Sequence, residues 1–400
     1  MATPDRENPQ ESDDEPLRDR VRVLIVDDSA LMRRLLADLL GSAPEIEVAG
    51  VARDGREAVV QALHLKPDVI TLDVEMPEVS GLDALPALLA VNAAPVVMVS
   101  ALTQEGADVT LQALELGAVD FLPKPERNQL AEMRANRDIL VAKVLAAAQS
   151  RVRRVRPRGA AAPAAAPSAP VPAPRPARRP PGRGPGAVAA PAPESGSRGP
   201  CIVIGISTGG PQALSQVFPV LAPPLPPILV VQHMPGQFTG VFAERLNRYS
   251  HSAVTVKEAE EGELVLPNRV LIAPGGRHLT LSGHPPRVRV ALSDEPPVRG
   301  HRPSVDVLFH SAAKVYQSAA IGLIMTGMGR DGVDGCKAIL AAGGFTLGQD
   351  EATSVVYGMN KAALLEGAVK GQFALDELPR ILQDIAGFRA EPEAPQTASD

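Results

Sequence analysis

The sequence predicts an α/β protein built from two doubly wound parallel domains that a proline-rich linker joins. Two observations support this prediction. In both halves of the chain, short apolar runs rich in valine and isoleucine alternate with helical patterns, as in parallel sheets covered by helices. Between the halves, residues 146–199 are dense in proline, alanine and arginine and cannot bury enough apolar surface to fold. The length of 400 residues also exceeds that of one ordinary domain.

The first half opens with an acidic, polar segment, residues 1–20, which predicts a disordered tail. The strand-like runs that follow are VRVLIV, IEVAGVA, DVITL, PVVMVS and VDFLP, and the helical patterns between them are ALMRRLLADLL, GREAVVQALHL, LDALPALLAV and DVTLQALELG. Five parallel strands in about 120 residues predict a flavodoxin-like, doubly wound domain. We place this domain at residues 21–145.

A second α/β pattern starts at Cys201. Its apolar strand candidates are CIVIGIS, PILVVQH, RVLIAPG and AAIGLIMTG. The later stretches VVYGMNKAALLEGAVKGQF and LDELPRILQDIAGF predict helices. We expect this second domain to span residues 200–388, with a loose tail at 389–400.

Composition excludes several classes of protein. The net charge of −6 gives no overall nucleic-acid signature, and no apolar stretch approaches the roughly 20 residues of a membrane helix. Two cysteines build no disulfide framework, and the N-terminus lacks a signal-peptide core. We therefore expect a soluble, cytoplasmic monomer without membrane insertion. We expect the linker to be a solvated spacer. The alternative is that its arginines contact an anionic surface or nucleic acid.

Polar residues follow four strands of the first domain where ligands bind in open parallel sheets. These residues are Asp27 and Asp28, Asp73, Ser100 and Lys124. Clustered carboxylates suit Mg²⁺, the central Asp73 suits a phosphoryl group, and a lysine neutralises phosphate charge. The alternative for the acidic pair is an N-cap of the first helix, through Asp28 or Ser29.

The segments VLIVDDSALMR, ITLDVEMPEVSGLD, VVMVSAL and GAVDFLPKP closely resemble a response-regulator receiver domain. The resemblance implies Mg²⁺ held by Asp27, Asp28, Asp73 and the Glu75 carbonyl, phosphorylation at Asp73, a switch hydroxyl at Ser100 and a switch lysine at Lys124. It also implies a cis bond between Lys124 and Pro125.

In the second domain, the segment GISTGG places Ser207 in a G-x-S-x-G pattern, the nucleophile elbow of α/β-hydrolases. A phosphate cradle or a tight turn are the alternatives, but no lysine follows the glycines as in a P-loop. A nucleophilic serine needs a base and an orienting carboxylate. His233 follows an apolar strand at the same expected edge, and His278, after a Gly-Gly turn, is the second candidate base.

The candidate carboxylate is Asp331, in the glycine-rich loop after a third apolar strand. The resulting chain order, serine, histidine and then aspartate, differs from the serine, acid, histidine order of α/β-hydrolases. The elbow pattern therefore does not identify that family. Each residue also has an ordinary alternative, since His233 can end a strand and Asp331 can form a turn.

The segments IGISTGGPQAL, VVQHMPGQFT, IAPGGRHL, HRPSVDVLF, LIMTGMGRDG and GQDEATSVVYGM resemble the catalytic domain of the CheB chemotaxis methylesterases over about residues 200–385. The resemblance implies a triad of Ser207, His233 and Asp331, with the Met328 amide as an oxyanion donor. Gln237 and Asn360 depart from the expected pattern in loops. Arg330 is expected to alter the charge where substrate enters.

The resemblance implies a phosphorylation-regulated protein-glutamate methylesterase and glutamine deamidase that acts on methyl-accepting chemotaxis receptors in sensory adaptation. It implies a chemotaxis histidine kinase as the phosphodonor and no cofactor in the esterase domain. Two alternatives remain at this point. One is a response regulator with a non-catalytic binding output domain, and the other is a receiver-controlled small-molecule esterase. The absence of tryptophan argues against a deep aromatic acyl pocket for the second.

Overall fold

The structure, a computed structural model, describes residues 20–92, 94–101, 103–124, 137–150 and 199–387. The expected N-terminal tail up to residue 19, linker residues 151–198, the C-terminal tail and the Lys124–Pro125 bond lie outside the described residues. Within the described ranges, none of the helices has both the length and the apolar character needed to cross a membrane.

The first domain is a five-stranded parallel sheet in the order β2-β1-β3-β4-β5, which confirms the doubly wound prediction. Its strands are β1 (Val21–Val26), β2 (Ile46–Ala52), β3 (Val69–Asp73), β4 (Val96–Ala101) and β5 (Asp120–Lys124). Its helices are α1 (Ala30–Gly41), α2 (Gly55–Leu65), α3 (Gly81–Val91), α4 (Gln104–Leu116) and α5 (Arg137–Ala148). The last helix crosses residue 145, at which the sequence boundary was placed.

Polar caps start the first four helices of this domain. The caps are Ser29, Asp54, Ser80 and Thr103, and each side chain accepts a bond from an amide of its own first helical turn. Ser29 therefore caps α1, and the carboxylate of Asp28 is not needed for that purpose.

The second domain is a seven-stranded parallel sheet in the order β14-β13-β12-β6-β7-β9-β8. Its strands are β6 (Cys201–Ile206), β7 (Ile228–Gln232), β8 (Thr255–Glu258), β9 (Arg269–Ile272), β12 (Ala320–Ile324), β13 (Phe345–Gln349) and β14 (Gln372–Phe373). An antiparallel hairpin joins β10 (His278–Ser282) and β11 (Arg289–Ser293). The helices are α6 (Gly210–Val217), α7 (Gly236–Tyr249), α8 (Val305–Tyr316), α9 (Val333–Ala341), α10 (Met359–Leu365) and α11 (Leu378–Gly387).

The central strand β6 is buried on both faces, as expected for a covered parallel sheet. Ile204 faces an apolar cluster that continues into the first domain through Leu114 and Phe121. Val203 faces a second cluster that contains Phe309 of α8. One face of the second sheet therefore shares its core with the first domain.

One predicted helix is wrong in its extent. The stretch at residues 355–373 holds only α10 and then the short strand β14. Gly367 adopts φ 67° directly after the helix, a left-handed conformation that ends helices. The chain then runs back to pair with β13.

Replacing Gly205 by alanine is expected to lower the free energy of unfolding by about 1–3 kcal/mol, the usual cost of overpacking a core. The added Cβ would lie 2.2 Å from Val305 Cγ1, where β6 meets the first turn of α8. Gly240→Ala is the matched control, because its Cβ would meet only Glu258 Oε2, at 3.5 Å. Urea unfolding of the full chain measures both, and equal stability of the two variants would contradict this account.

Candidate functional site

Three neighbouring strands carry Ser207, His233 and Asp331 to one edge of the second sheet. Ser207 follows β6, and His233 follows β7, the parallel neighbour of β6. Asp331 lies in the loop after β12, which pairs with the opposite side of β6. The structure thus brings the three residues of the expected triad to the same edge, beyond the carboxyl ends of the strands.

Ser207 sits in a tight turn between β6 and α6. Its amide donates to the carbonyl of Thr326 at 2.9 Å. Its carbonyl accepts bonds from the Gly210 amide at 2.8 Å and from Gln232 Nε2 at 3.0 Å. Gly209 takes φ 79° at the N-cap of α6. The nucleophile candidate is therefore fixed at the start of a helix by bonds from its own domain.

A glycine-rich loop passes directly against Ser207. A Cβ at Gly327 would lie 2.7 Å from Ser207 Cβ and 2.6 Å from Met359 Sδ, so only glycine fits there. The next residue is Met328. Within the described part of the chain, the amides of Thr208 and Met328 donate no hydrogen bond. Two main-chain N–H groups that donate no hydrogen bond within the described residues therefore lie beside the serine, as an oxyanion site requires.

The imidazole of His233 is oriented by Asp331. His233 Nε2 lies 2.8 Å from Asp331 Oδ2, and since a carboxylate only accepts, Nε2 carries the proton. His233 Nδ1 is buried and has no partner among the described residues. The bare Nδ1 is therefore the nitrogen available as a base. This assignment is the reverse of that in chymotrypsin-like proteases, where Nδ1 faces the aspartate.

Asp331 is a buried charge held by hydrogen bonds. Besides His233, it accepts bonds from Ser304 Oγ at 2.8 Å, the Val305 amide at 2.8 Å and the Asp306 amide at 3.1 Å. Burial alone would raise the pKa of Asp331, but the bonds from His233 and from the two amides outweigh burial and hold this pKa well below its ordinary value. The carboxylate thus remains ionised throughout the physiological pH range.

His301 stacks on His233, with ring centroids 3.8 Å apart and an interplanar angle of 2°. Burial, followed by the nearby charge of His233, lowers the pKa of His301 to about 4, so this ring is neutral at pH 7. The sequence argument placed His301 in an ordinary loop and missed it. The only sequence signal was its position just before the helix start at Ser304.

His278, the second candidate base, lies elsewhere. Its ring nitrogens bond the carbonyl of Pro296 at 3.1 Å and the amide of Ser304 at 3.2 Å. Both nitrogens are therefore engaged by main-chain groups, and neither is free to accept a proton from a serine. His278 begins β10, the first strand of the antiparallel hairpin.

Thr208, next to the nucleophile candidate, is bound by the first domain. Its hydroxyl donates to Asp120 Oδ2 at 2.5 Å. Asp120 Oδ1 also accepts from Lys143 Nζ at 2.7 Å and from the Phe121 amide at 2.7 Å. Asp120 is 6% exposed and Thr208 4% exposed, so this polar contact is sealed between the two domains. Sequence reasoning gave no signal for it.

Helix α4 carries most of the remaining interdomain contact. Arg245 of α7 makes a two-pronged ion pair with Glu115, at 2.6 and 2.5 Å. Gln212 of α6 donates to the carbonyl of Leu114 at 2.8 Å. The first domain therefore packs over the helices that begin at the active-site edge.

Arg330 does not leave a free positive charge at the site. Its guanidinium donates twice to Asp334, at 2.8 Å each, and twice to Glu366, at 2.6 Å each. The expected change in charge at the substrate access is thus balanced by two carboxylates. The other two departures were expected in loops, but both lie in the first turn of a helix, Gln237 in α7 and Asn360 in α10. Asn360 is buried and donates to the Gln349 carbonyl at 2.8 Å.

The acidic cluster of the first domain fits a divalent cation. Oxygen atoms of Asp27, Asp28 and Asp73 all lie within 4.8 Å of one another. Asp27 Oδ2 is buried, and in the described part of the chain the ammonium of Lys124, at 3.0 Å, is its polar contact. An all-oxygen set with one exposed member, Asp28, leaves room for water, as Mg²⁺ prefers. Glu75 follows closely at the same rim and is itself exposed.

Lys124 and the buried acids perturb one another. Lys124 Nζ lies 2.7 Å from Asp73 Oδ2 and 3.0 Å from Asp27 Oδ2. Burial and then the charge of Asp27 raise the pKa of Asp73 to about 6, although Lys124 opposes the shift. Burial also raises the pKa of Asp27. One lysine thus does not neutralise both carboxylates, and a cation would relieve the excess charge.

Ser100 is buried at the end of β4, and its hydroxyl donates to the carbonyl of Gly106 at 3.1 Å. Gly106 lies in the first turn of α4. The expected switch hydroxyl is thus bonded to the helix that contacts the second domain.

Both halves of the chain match known protein families. A family model described as CheB methylesterase matches residues 202–382, and one described as response regulator receiver domain matches residues 23–135. A Chromohalobacter salexigens protein named protein-glutamate methylesterase/protein-glutamine glutaminase is 43% identical over 367 residues, 92% of this chain and 96% of that protein. A Pyrococcus horikoshii protein of the same name is 41% identical over 369 residues, 90% of this chain and 92% of that protein.

Among solved structures, the Thermotoga maritima CheB methylesterase catalytic domain is 41% identical, with a TM-score of 0.45. The match covers 46% of this chain and 98% of that chain.

Asp73→Asn is expected to stabilise the metal-free protein at pH 7.5 by about 1–3 kcal/mol, the size of a shift of about two pKa units. Because the pKa of Asp73 rises from 3.8 to about 6 on folding, its ionisation costs stability increasingly from pH 4 to pH 6. The gain should therefore vanish near pH 4. Thermal unfolding at both pH values measures it.

The control for this prediction is Asp38→Asn, which removes an exposed acid of α1. A gain from Asp73→Asn that is no larger at pH 7.5 than at pH 4, or that Asp38→Asn reproduces, would contradict the charge argument. Added Mg²⁺ should stabilise the wild-type protein more than the Asp73 variant.

Proposed function

Because the chain belongs to the CheB methylesterase family, we propose that it is a receiver-regulated protein-glutamate methylesterase and protein-glutamine glutaminase. Its substrates are glutamyl methyl esters and glutamines on the cytoplasmic helices of methyl-accepting chemotaxis receptors, and it serves sensory adaptation. The observation that supports this most is the imidazole of His233, bonded through Nε2 to Asp331 with a buried, unpartnered Nδ1. That is the state of a general base awaiting a hydroxyl proton.

Ser207, His233 and Asp331 each have a separate role in acylation. Ser207 Oγ attacks the ester carbonyl carbon while His233 Nδ1 takes the hydroxyl proton. Asp331 stabilises the imidazolium through the Nε2 bond. The oxyanion of the tetrahedral intermediate is received by the amides of Thr208 and Met328, and removing one such donor typically costs about 10²–10³ in rate.

The intermediate collapses when the C–O bond to the methoxy group breaks and His233 returns its proton to that oxygen, releasing methanol. Water then attacks the acyl-enzyme with His233 as the base, and free Ser207 and a glutamate side chain result. With a glutamine substrate, the C–N bond breaks instead and ammonia leaves. The esterase step needs only side chains and amides of this chain.

His301 holds the base in plane. The parallel stack at 3.8 Å restricts rotation of the His233 ring, so that Nδ1 keeps its direction during proton transfer. Because the pKa of His301 is lowered to about 4, the ring adds no competing positive charge when His233 becomes protonated.

The receiver pocket takes the phosphoryl group at Asp73. Asp27, Asp28, Asp73 and the Glu75 carbonyl would hold Mg²⁺, which neutralises charge on the phosphoryl oxygens when bound. An Asp73 carboxylate oxygen attacks phosphorus, and the bond from phosphorus to the histidine nitrogen of a chemotaxis kinase breaks. Lys124, already 2.7 Å from Asp73, pairs with the added charge.

Phosphorylation is coupled to the esterase through α4. If Ser100 turns its hydroxyl toward a phosphoryl oxygen, the Gly106 carbonyl loses that bond and keeps the one from the Thr110 hydroxyl at 2.6 Å. That loosens the first turn of the helix whose other end holds Glu115 against Arg245. The contact between Asp120 and Thr208 supports a closed, less active arrangement, from which phosphorylation shifts the population.

Ser207→Ala is expected to abolish release of methanol from methyl-labelled receptor membranes, because acylation has no alternative nucleophile. Wild-type protein should release methanol, and Mg²⁺ with a small phosphodonor should raise the rate. The control is Ser282→Ala, which removes the hydroxyl of an exposed serine at the end of β10 and should retain activity. Equal, negligible release by wild type and Ser207→Ala would overturn the esterase assignment and leave a binding output domain.

Asp120→Asn is expected to raise the unphosphorylated rate by about 5-fold or more, within the range of typical coupling free energies. The substitution removes the negative charge of the carboxylate that accepts bonds from Thr208 and Lys143, so the closed arrangement becomes less stable. The rate of the phosphorylated protein should stay unchanged. Asp108→Asn is the control, because Asp108 is half exposed at the rim of the same interface and lies 3.8 Å from Arg245.

The measurement is the ratio of methanol release with and without the phosphodonor. The ratio should fall for Asp120→Asn and hold for Asp108→Asn. An undiminished ratio in the Asp120 variant would show that this contact does not restrain the esterase.

A further inference from the structure

We propose that His278 is a positioning residue of the active site, which holds Asp331 in place through Ser304. The proposal rests on the esterase function and adds to it a residue outside the triad. It starts from a continuous line of hydrogen bonds that runs from the exposed Pro296 through three buried residues, His278, Ser304 and Asp331, to the half-buried His233. Each bond in that line has a defined donor and acceptor.

The tautomer of His278 is fixed by two main-chain groups. A carbonyl only accepts, so the 3.1 Å contact with Pro296 O places the proton on Nε2. Nδ1 is then a bare acceptor for the Ser304 amide at 3.2 Å. The ring is 1% exposed. A neutral imidazole with one donor and one acceptor satisfies both main-chain groups, which no aliphatic side chain does.

Ser304 is an unusual helix cap. It occupies the N-cap position of α8 with extended backbone, yet its hydroxyl caps no amide of its own helix. The hydroxyl instead donates to Asp331 Oδ1 at 2.8 Å. The first amides of α8, from Val305 and Asp306, are capped by the same Asp331 carboxylate. The Asp331 carboxylate therefore caps α8 in place of the Ser304 hydroxyl, and that hydroxyl donates to the same carboxylate.

This division of bonds sets the rotation of the Asp331 carboxylate. Ser304 Oγ and the Asp306 amide hold Oδ1, while His233 Nε2 and the Val305 amide share Oδ2. A shift of the Ser304 backbone would move its hydroxyl and both amides together. His278 Nδ1 is the group that accepts the Ser304 amide and so prevents that shift.

The segment before α8 has a second anchor, because the Gly276 amide donates to the Arg302 carbonyl at 3.0 Å. Loss of the His278 contact therefore leaves the segment attached to the β9–β10 turn. We expect variants at His278 to fold, and their defect to lie in the alignment of Asp331 and His233.

The test uses the full chain and two substitutions that each retain one half of the imidazole. His278→Asn keeps an acceptor near the Nδ1 position for the Ser304 amide. His278→Gln keeps a donor near the Nε2 position for the Pro296 carbonyl and loses that acceptor. Ser304→Ala removes the hydroxyl on Asp331, and His278→Gln with Ser304→Ala closes a double-mutant cycle.

We expect His278→Gln to lower kcat for methanol release by about 10- to 100-fold with KM unchanged, the cost of a small misalignment of catalytic groups. His278→Asn should stay within a few-fold of wild type. Because the two residues act in series, the double variant should be no slower than the slower single variant. Equal losses for the Asn and Gln variants, or multiplying losses in the cycle, would overturn the proposal.

A second readout does not depend on the natural substrate. Diisopropyl fluorophosphate phosphorylates Ser207 as the P–O bond forms, fluoride leaves and His233 takes the serine proton. The labelling rate across pH reports the base in the free enzyme. Its pH profile should move in His278→Gln and Ser304→Ala but not in His278→Asn.

If wild type releases no methanol yet labels at Ser207 with the expected variant pattern, the esterase function fails while the positioning role stands. If labelling in all variants falls only in proportion to their thermal stability, with an unmoved pH profile, His278 is merely structural.

Discussion

The buried carboxylate of Asp331 is the constraint around which the catalytic half is arranged. An ionised carboxylate without partners in a protein interior costs several kcal/mol, so its surroundings have to supply donors. They come from two separate parts of the chain: His233 at a strand end, and the consecutive residues 304–306 at the start of α8. That requirement fixes where α8 begins relative to β7 and which nitrogen of His233 carries the proton. The stacked ring of His301 lies on the same short segment as Ser304, so its position follows from that arrangement.

The pKa values of the buried receiver acids are shifted in the opposite direction to that of Asp331. His233 and two main-chain amides hold the pKa of Asp331 low, whereas Asp73 and Asp27 share one lysine and have raised pKa values. The first carboxylate is a permanent charge that orients a base. The negative charges of Asp73 and Asp27 are only partly neutralised by Lys124, so binding of a cation and then of a phosphoryl group is favoured there. Two buried acids of similar exposure thus have different chemistry because of how many donors face them.

The sequence was sufficient for the residues that follow predicted strands. Ser207, His233 and Asp331 each come directly after an apolar run or in the loop that follows it, and parallel strands share their carboxyl edge. The same reasoning located the receiver acids. It failed where contact depends on tertiary approach. His301 lies in a loop between the β10–β11 hairpin and α8, and no periodicity indicates that its ring reaches His233.

The contact between Thr208 and Asp120 shows why the domain interface was beyond prediction, since its partners are 88 positions apart on separate domains. The helix predicted across residues 355–373 failed for a local reason, because Gly367 ends it and a two-residue strand follows. Short strands that complete a sheet edge carry too few residues to show an alternating pattern.

In the proposed mechanism, the neighbours Ser207 and Thr208 separate catalysis from regulation. All the main-chain bonds described for Ser207 come from its own domain, through Thr326, Gly210 and Gln232. The Thr208 hydroxyl, one residue on, is bound by the receiver. Withdrawal of the receiver thus removes a partner from Thr208 but none from Ser207, and the bonds of Asp331 also lie within the catalytic domain. The main-chain position of Ser207 and the orientation of His233 are thus set within the catalytic domain, so in the proposed regulation control through this interface acts on the access of substrate to them.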